Sequence, residues 1–400
     1  MLTRRFGQTG LAMPVITAGG MRYQQSWNAA DPITPESQSN VETIIRRALE
    51  LGINHFETAR GYGTSEAQLG QVLPKLPRHE LIVQTKIAPR ADADEFERDF
   101  FDSLKRLNLT YVDLLGLHGL NDPKQLDLAL RDGGCLERAL SLKQRGLIRY
   151  VGFSTHAPLE VILQGIADGR FDYVNLHYYW VTQHNLAAVR AAAAKDMGIL
   201  VISPNDKGGK LYEAPAKLRR LTEPLSPIAF NDLFCLAHAE LSTLSIGARA
   251  PSDYNEHVAV VDLYKKHAAD PRSLIAPIEA KLQHALDQAF DPEWVQGWAV
   301  GLPSWEEVPG QINIREILRL YNLAKGLELV DYGRMRYGLF ENGAHWFPGN
   351  SAAQLDEAAV EAALAGHSPF PRRIVTALRD AHELLAGSKQ RRLQRDSSEG

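Results

Sequence analysis

Eight short, mainly apolar runs alternate with segments of helical character between residues 15 and 246, and this alternation limits the possible folds more strongly than any other feature. Repeated strand–helix units favour an α/β fold with a parallel sheet, and eight of them can close a (β/α)8 TIM barrel. A doubly wound open sheet is the alternative, but no G-x-G-x-x-G motif follows the first run. The predicted strands are 15–20, 53–56, 81–86, 112–118, 150–154, 173–176, 199–203 and 241–246.

The segments between these runs carry the spacing of amphipathic helices. In residues 38–51, for example, the apolar residues fall where one face of a helix would present them. Residues 1–14 are predicted to form a short β-hairpin, with Gly7 and Gly10 as turn residues. The other predicted helices are 94–107, 136–145 and 186–195, with further ones beginning near residues 65, 159 and 252.

Polar side chains stand at the ends of three consecutive predicted strands. Glu57, Lys86 and His118 each end or follow an apolar run, and Tyr62 lies in the loop after Glu57. Each of them alone is more often a core or surface residue, but parallel strands bring their carboxyl ends to one rim. A lysine beside a tyrosine favours the phenolate and lowers the phenol pKa from about 10, which gives a usable general acid.

The sequence around these residues resembles the aldo-keto reductase family through about residue 265. The stretches ETARGYGTSE, QTK, GLHG and IRYVGFSTH carry the resemblance, and the four polar residues follow the order of the family's Asp-Tyr-Lys-His tetrad. The resemblance implies that Tyr62 protonates a carbonyl oxygen, that His118 orients the carbonyl, and that Lys86 tunes Tyr62. Glu57 stands where most members have aspartate. Because glutamate is one methylene longer, its pairing with Lys86 is expected to need another rotamer or a shifted backbone.

The resemblance also implies a nicotinamide cofactor that is bound without a Rossmann motif. Ser154 and Thr155 end the fifth strand, where the family usually has Ser-Asn, and Asn175 falls where a carboxamide-binding glutamine is common. Their hydroxyl and amide groups can hold a carboxamide by hydrogen bonds. The family's stacking tyrosine on strand seven is replaced by Ile202 or Ser203, so stacking is expected to be lost or to come from another residue.

A glycine-rich loop after the seventh strand is predicted to line the pyrophosphate of the cofactor. The loop, residues 204–210, contains Lys207 and Gly208, and its free amides can face an anion. A Gly-Gly pair beside lysines is a weak phosphate signal by itself. The assignment therefore depends on the resemblance to the family.

The segment 245–249 resembles the family's binding segment for the adenosine phosphate. Gly247 lies before the predicted helix start, whose amides favour an anion, and Arg249 can fork onto a phosphate. Glu256 fits the family's adenine contact, whereas Asp253 stands where several members have arginine. NADP(H) is the expected cofactor, with NAD(H) as the alternative.

The last third of the chain resembles the branch of this family that carries a C-terminal ferredoxin-like domain. In that branch the pattern C-x2-C-x2-C-x3-C-P ligates [4Fe–4S] clusters. Two stretches here keep the spacing without a thiol, so we expect a degenerate, mainly helical domain over residues 272–387 and no iron–sulfur cluster. These positions are Trp298, Gly301, Ser304 and Val308, then Leu355, Ala358, Glu361 and Ala365. The side chains expected to fill the core instead are Trp298, Trp305, Ile312, Ile314, Ile317, Leu318, Leu320 and Trp346.

Charge and cysteine content narrow the function class. A net charge of −4 gives no whole-protein reason to expect a nucleic-acid partner. Only two cysteines occur, Cys135 and Cys235, which argues against a disulfide framework and favours a reducing cytoplasm. No apolar run reaches the roughly 18 residues of a membrane helix. We expect a barrel domain over residues 1–265 and a disordered polar tail over residues 388–400.

These patterns together predict an NAD(P)H-dependent cytoplasmic enzyme that reduces a small carbonyl substrate, an aldehyde or a ketone. It is expected to need no metal, nucleic acid or membrane. The alternative is a cofactor-binding regulatory or redox-sensing protein with little turnover. The sequence leaves the physiological substrate and the oligomeric state open.

Overall fold

The computed structural model describes residues 1–340 and 347–387. Two short strands form an antiparallel hairpin, β1 (Thr3–Arg5) and β2 (Ala12–Pro14). The parallel strands that follow are β3 (Ile16–Gly19), β4 (His55–Glu57), β5 (Ile82–Ile87), β6 (Val112–His118), β7 (Ile148–Ser154), β8 (Tyr173–Leu176), β9 (Gly198–Ile202) and β10 (Thr243–Gly247). β10 pairs with both β9 and β3, which closes the sheet. The predicted TIM barrel is therefore confirmed, and the open sheet is excluded.

Helices separate most of the barrel strands, and two of them show how local sequence sets a helix start. α1 (Pro35–Glu50) begins earlier than predicted because the Thr34 hydroxyl accepts from Ser37 N at 3.3 Å and Pro35 suits the first turn. The other helices up to residue 271 are α2 (Ser65–Gly70), α3 (Ala93–Leu107), α4 (Pro123–Leu130), α5 (Cys135–Gln144), α6 (Leu159–Asp168), α7 (Leu186–Ala194), α8 (Pro204–Lys207), α9 (Ala216–Thr222), α10 (Pro227–Leu236) and α11 (Asp253–Lys266). α4 is absent from the sequence prediction, although Asp122 caps it by accepting from Gln125 N at 2.8 Å.

Contacts divide the described chain into two compact units. The first, the barrel unit, consists of residues Met1–Pro204 and Asn231–Pro271. The second, the helical unit, consists of Asn205–Phe230 together with the described residues from Arg272 onward. The sequence prediction assigned residues 205–230 to the barrel domain, whereas their contacts place them in the helical unit. The predicted tail, residues 388–400, lies outside the described residues.

The N-terminal hairpin packs across the bottom of the barrel, where the strands begin. Phe6, in its turn, is fully buried in a cluster with Ile82, Leu114 and Tyr173. Gly198 opens β9 directly against this ring, since a Cβ there would lie 2.6 Å from Phe6 Cδ2. Apolar side chains thus seal the bottom of the barrel. The opposite rim is left for polar side chains.

The helical unit has an apolar core that differs in part from the prediction. Its later helices are α12 (Arg272–Phe290), α13 (Pro292–Gly297), α14 (Ile314–Leu327), α15 (Val330–Tyr337), α16 (Glu357–Leu364) and α17 (Pro371–Leu385). Of the predicted core residues, those buried are Ile312, Ile314, Ile317, Leu318 and Leu320. Trp298 and Trp305 are only partly buried, and Trp346 lies outside the described residues. Trp294 is buried instead, and its Nε1, which needs a partner there, donates to Asn322 Oδ1 at 3.0 Å.

None of the helices within residues 1–340 and 347–387 is both long and apolar enough to cross a bilayer.

Candidate active site

The polar strand ends singled out in the sequence meet at the carboxyl rim of the barrel unit. Glu57 closes β4, Lys86 is the next-to-last residue of β5, and His118 closes β6. These three strands are neighbours, and Lys86 stands opposite Gly116 of β6. Adjacent parallel strands therefore deliver a carboxylate, an amine and an imidazole to the same rim.

Glu57 and Lys86 form a buried ion pair, with 6% and 2% of their surface exposed. Lys86 Nζ donates to Glu57 Oε1 and to the carbonyl of Thr58, the latter at 2.6 Å. Glu57 Oε2 accepts from Ser245 Oγ at 3.0 Å. Gly116 leaves room for the lysine stem, since a Cβ there would lie 3.0 Å from Lys86 Cγ. The glutamate thus reaches both β5 and β10, and Ser245 is a partner that the sequence did not indicate.

Tyr62 lies in the loop after β4, beside both Lys86 and His118. Its ring meets that of His118 edge-on, with centroids 5.7 Å apart and planes at 86°. Lys86 Nζ lies 4.8 Å from the Tyr62 ring centroid. Burial raises the pKa of Tyr62 above its usual value and lowers the pKa of Lys86. This direction is opposite to the lowering of the Tyr62 pKa that the sequence suggested.

A layer of fully buried polar side chains lies inside the barrel, next to the ion pair in the sheet. His55 Nδ1 contacts Thr17 Oγ1 at 2.7 Å, and Thr17 Oγ1 contacts Thr243 Oγ1 at 2.7 Å. Burial, reinforced by the positive charge of Lys86, lowers the pKa of His55 to about 3. His55 is therefore a neutral imidazole at physiological pH, so it adds no second positive charge beside Lys86.

Ser154, Thr155 and Asn175 lie at the ends of β7 and β8, with Ser154 opposite Asn175. Ser154 and Thr155 hydrogen-bond to the backbone of the loop after β6. Ser154 Oγ accepts from Gly119 N at 3.2 Å, and Thr155 Oγ1 donates to Leu120 O at 2.7 Å. Asn175 is 1% exposed, and within the described part of the chain neither its Oδ1 nor its Nδ2 has a hydrogen-bond partner. A buried amide with both groups unused fits a carboxamide, which offers one acceptor and one amino group in return.

A chain of hydrogen bonds that the sequence did not indicate crosses the ends of β7, β8 and β9. His156 Nδ1 bonds to His177 Nε2, and His177 Nδ1 bonds to the Tyr179 hydroxyl at 2.5 Å. Tyr179 in turn donates to the carbonyl of Ile202. A carbonyl can only accept, so Tyr179 receives a bond from His177 Nδ1–H, and a neutral His177 receives one from His156 Nδ1–H. His156 directly follows Thr155, and His177 lies two residues after Asn175. Their position next to predicted cofactor residues could have indicated both histidines from the sequence.

The segment predicted to bind the adenosine phosphate ends β10 and precedes α11. Gly247 is the last residue of β10, and a Cβ there would lie 3.1 Å from Arg22 Cδ. Asp253 Oδ2 accepts from the backbone N–H groups of Arg249 at 2.7 Å and of Ala250 at 3.2 Å. Asp253, the first residue of α11, therefore places a carboxylate of the protein beside the segment that was expected to face the phosphate.

The other predicted cofactor residues are Ser203, Lys207, Gly208 and Glu256. Ser203 follows β9 with φ at 45°, in the left-handed region that a residue with a side chain adopts infrequently. Glu256 is exposed on α11. Lys207 and Gly208 belong to the helical unit, where Lys207 O accepts from the Tyr332 hydroxyl at 2.8 Å. The assignment of these residues to the cofactor stays a prediction.

No group of three or more His, Cys, Asp or Glu side chains suited to a metal ion occurs within the two described ranges. Both cysteines, Cys135 and Cys235, are free and buried. Burial raises the pKa of both thiols. They are therefore disfavoured as thiolates, the form in which cysteine acts as a ligand or nucleophile.

Comparison with known proteins shows which family the chain resembles. Residues 15–274 match the family model described as "Aldo/keto reductase family". Over 312 residues the chain is 25% identical to L-galactose dehydrogenase of Arabidopsis thaliana, covering 70% of this chain and 94% of that protein. Over 174 residues it is 30% identical to L-glyceraldehyde 3-phosphate reductase of Escherichia coli, covering 40% of this chain and 46% of the relative.

A solved structure supports the fold. An aldo-keto reductase from Bacillus halodurans, in its holo form, superposes with a TM-score of 0.59 over 70% of this chain and 96% of that one. The two sequences are 22% identical, so the likeness bears on the architecture alone. The superposed part, 70% of this chain, is similar in extent to the family match over residues 15–274.

Proposed function

This chain belongs to the aldo/keto reductase family, and we propose that it reduces a small aldehyde or ketone with NAD(P)H, with Tyr62 as the general acid. The placement of Tyr62 carries the proposal. Its ring centroid lies 5.7 Å from that of His118 and 4.8 Å from Lys86 Nζ. A proton donor, a second hydrogen-bonding group and a buried amine therefore stand together at the rim of the barrel unit.

Each residue has a distinct task in this reaction. A bound nicotinamide would supply the hydride to the carbonyl carbon. Tyr62 gives its phenolic proton to the carbonyl oxygen, and its raised pKa keeps that proton in place at neutral pH. Lys86, held by Glu57, stabilises the phenolate that Tyr62 becomes. His118 hydrogen-bonds to the carbonyl oxygen and fixes it beside Tyr62.

The residues near the rim support a nicotinamide cofactor. A carboxamide at Asn175 would satisfy an amide whose Oδ1 and Nδ2 are unused within the described residues. For the adenosine end, Arg249 carries a positive charge suited to the 2′-phosphate of NADP(H), whereas the Asp253 carboxylate beside it disfavours a second anion. We therefore propose NADP(H) as the preferred cofactor, with a small margin over NAD(H).

We also propose that the helical unit descends from a ferredoxin-like domain that lost its cluster ligands. Its two stretches with the ferredoxin spacing pack together, because Gly301 of the first lies against His367, just after the second. A Cβ on Gly301 would lie 1.8 Å from His367 O, so a cysteine no longer fits at this position. Val308, at the last ligand position of the first stretch, is only 3% exposed. An ordinary core thus takes the space of a cluster.

Single-turnover oxidation of bound NADPH or NADH by a panel of small aldehydes and ketones tests the proposed activity. In Tyr62→Phe we expect carbonyl reduction to fall by about 10²–10⁴-fold, the usual value of general acid assistance, with cofactor affinity near that of the parent. Tyr111→Phe is the matched control. It removes a phenol beside Arg78, just before β6 and at the opposite end of that strand from His118.

Equal rates in Tyr62→Phe and the parent protein would remove Tyr62 from the acid role. If the parent binds the cofactor but oxidises it with no member of the panel, the regulatory or redox-sensing alternative describes the protein better. The relatives named L-galactose dehydrogenase and L-glyceraldehyde 3-phosphate reductase direct the choice of panel. It should therefore include aldoses and phosphorylated aldehydes.

A further inference from the structure

A cavity of about 330 Å³ opens beside the candidate active site, between the loops after β4 and β5 and helix α3. Its wall includes His118 and Gly61. A Cβ on Gly61 would lie 4.0 Å from His118 Nδ1, so the cavity wall and the imidazole adjoin. The charged residues that line the cavity are Arg60, Arg90, Asp99 and Arg106.

Two aspartates of α3 tie the three arginines into one network. Asp99 lies 3.0 Å from Arg60 Nη2 and 2.8 Å from Arg90 Nη2. Asp102 lies 2.7 Å from Arg106 Nη2 and also pairs with Arg60. Each aspartate therefore bridges two guanidinium groups. The three arginines, called the arginine array below, are held in place along one wall of the cavity.

The arginine array has more positive charges and more N–H donors than its two aspartate partners can pair with. Three guanidinium groups face two carboxylates, and each guanidinium has five N–H donors. A third acid, Glu66, lies 3.8 Å from Arg106 Nη1, but it is fully buried and does not line the cavity. Arg90 and Arg60 keep 47% and 24% of their side-chain surface exposed. The wall is thus net positive and can bind a ligand from the cavity.

From this geometry we propose that the arginine array binds an anionic group of the carbonyl substrate, a carboxylate or a phosphate. The inference rests on the function proposed above and assigns its substrate class, small carbonyl compounds that carry an acidic group. Planar guanidinium groups match the paired oxygens of both anions, and charge-assisted bonds of this kind are the strong ones. Asp99, on the same wall, can accept a hydrogen bond from a substrate hydroxyl. If these ion pairs only stabilised the fold, they would not need to line a cavity that also contains His118.

Two substrate pairs test the proposal: succinic semialdehyde against butanal for a carboxylate, and glyceraldehyde 3-phosphate against glyceraldehyde for a phosphate. We expect the parent to have a higher kcat/KM for the anionic member of at least one pair. Arg90→Gln should lower that preference by about 10- to 100-fold, mainly through KM, as the loss of a charge-assisted bond implies. Arg90→Lys keeps the positive charge but loses the planar guanidinium that can donate two parallel hydrogen bonds. This variant should therefore retain part of the preference for the anionic substrate.

Arg98→Gln is the matched control. Arg98 lies on the same helix as Asp99, keeps 66% of its side chain exposed, and pairs with Asp92 and Glu95. The substitution removes the same charge without touching the array, so the preference should equal that of the parent. Equal kcat/KM for anionic and neutral substrates in the parent would overturn the proposal, as would equal losses in Arg98→Gln and Arg90→Gln.

A binding titration separates this inference from the proposed function. Calorimetry with succinate and with inorganic phosphate requires no turnover. Binding that weakens about tenfold in Arg90→Gln, and stays unchanged in Arg98→Gln, supports the arginine array even if no carbonyl is reduced. Reduction of neutral carbonyls without binding of either anion overturns the inference and leaves the proposed function standing.

Discussion

Among the single residues, Glu57 shows how the barrel accommodates one extra methylene. One carboxylate oxygen accepts from Lys86 and the other from Ser245, so both have partners on other strands. Two opposing effects act on Lys86: burial lowers its pKa, while a carboxylate at hydrogen-bond distance favours the charged amine. The glutamate thus anchors Lys86, whose Nζ lies 4.8 Å from the centroid of the Tyr62 ring.

Two neighbouring residues are expected to set the choice between NADP(H) and NAD(H). Arg249→Ala should weaken NADPH relative to NADH by about 10- to 150-fold, because a charge-assisted bond to the 2′-phosphate contributes roughly 1.5–3 kcal/mol. Asp253→Asn should act in the opposite direction, because it removes the negative charge that accepts from Arg249 N and Ala250 N. Tryptophan fluorescence titrations with each cofactor measure both affinities.

Arg46→Ala serves as the control for this pair. Arg46 is an exposed arginine of α1 that pairs with Glu42 one helical turn away, so its loss should leave both affinities unchanged. Equal affinity of the parent for NADPH and NADH would take the phosphate role away from Arg249.

Within one strand, β4 serves both the chemistry and the core. It is three residues long, and its first and last residues, His55 and Glu57, point to the same side because side chains alternate along a strand. Glu57 holds Lys86, whereas His55 bonds to Thr17 in the buried polar layer. A short strand therefore places two titratable groups in the barrel interior.

The low pKa of His55 makes the stability of the fold depend on pH. In the unfolded chain His55 titrates near pH 6.5, and in the folded barrel near pH 3. Between these values the unfolded state binds more protons, so stability falls as the pH falls, and the contribution is complete above about pH 6.5. At pH 5 we expect a loss of about 2 kcal/mol relative to pH 7.5, and a smaller loss in His55→Gln. Urea unfolding at the two pH values measures this difference.

His79→Gln is the control for this prediction. His79 keeps 84% of its side chain exposed, so its removal should leave the pH dependence of the parent intact. The same loss between pH 7.5 and pH 5 in the parent and in His55→Gln would show that His55 does not resist protonation in the folded state.

For the molecule as a whole, the redox chemistry is expected to depend on the nicotinamide alone. A [4Fe–4S] cluster commonly takes about four cysteine thiolates, whereas this chain has two cysteines, Cys135 and Cys235, both in the barrel unit. Anaerobically purified protein should therefore be colourless, and chelators should not affect its unfolding. Iron and acid-labile sulfide assays measure this directly. Stoichiometric iron and sulfide, with a visible band that dithionite bleaches, would contradict our interpretation of the last third of the chain.

Much of the barrel could be predicted because its signals are local. The predicted ends at residues 118, 154 and 176 coincide with the ends of β6, β7 and β8, since apolar runs and the polar residues after them lie within a few positions. The same locality placed Glu57, Lys86 and His118 at strand ends. The sequence prediction missed α4. Its Asp-Pro start signal is present in the sequence, but the helix is only eight residues long.

Partners and pKa shifts instead arise from contacts between residues that are far apart in the chain. Ser245 reaches Glu57 across 188 positions, and only the closure of β10 against β3 brings the two together. The pKa of Tyr62 is raised by its surroundings in the folded barrel, an effect that the presence of Lys86 in the sequence does not reveal. The arginine array likewise exists because α3 packs beside the loop after β4. Hydrophobic periodicity acts over a few residues, whereas burial and pairing depend on the closed fold.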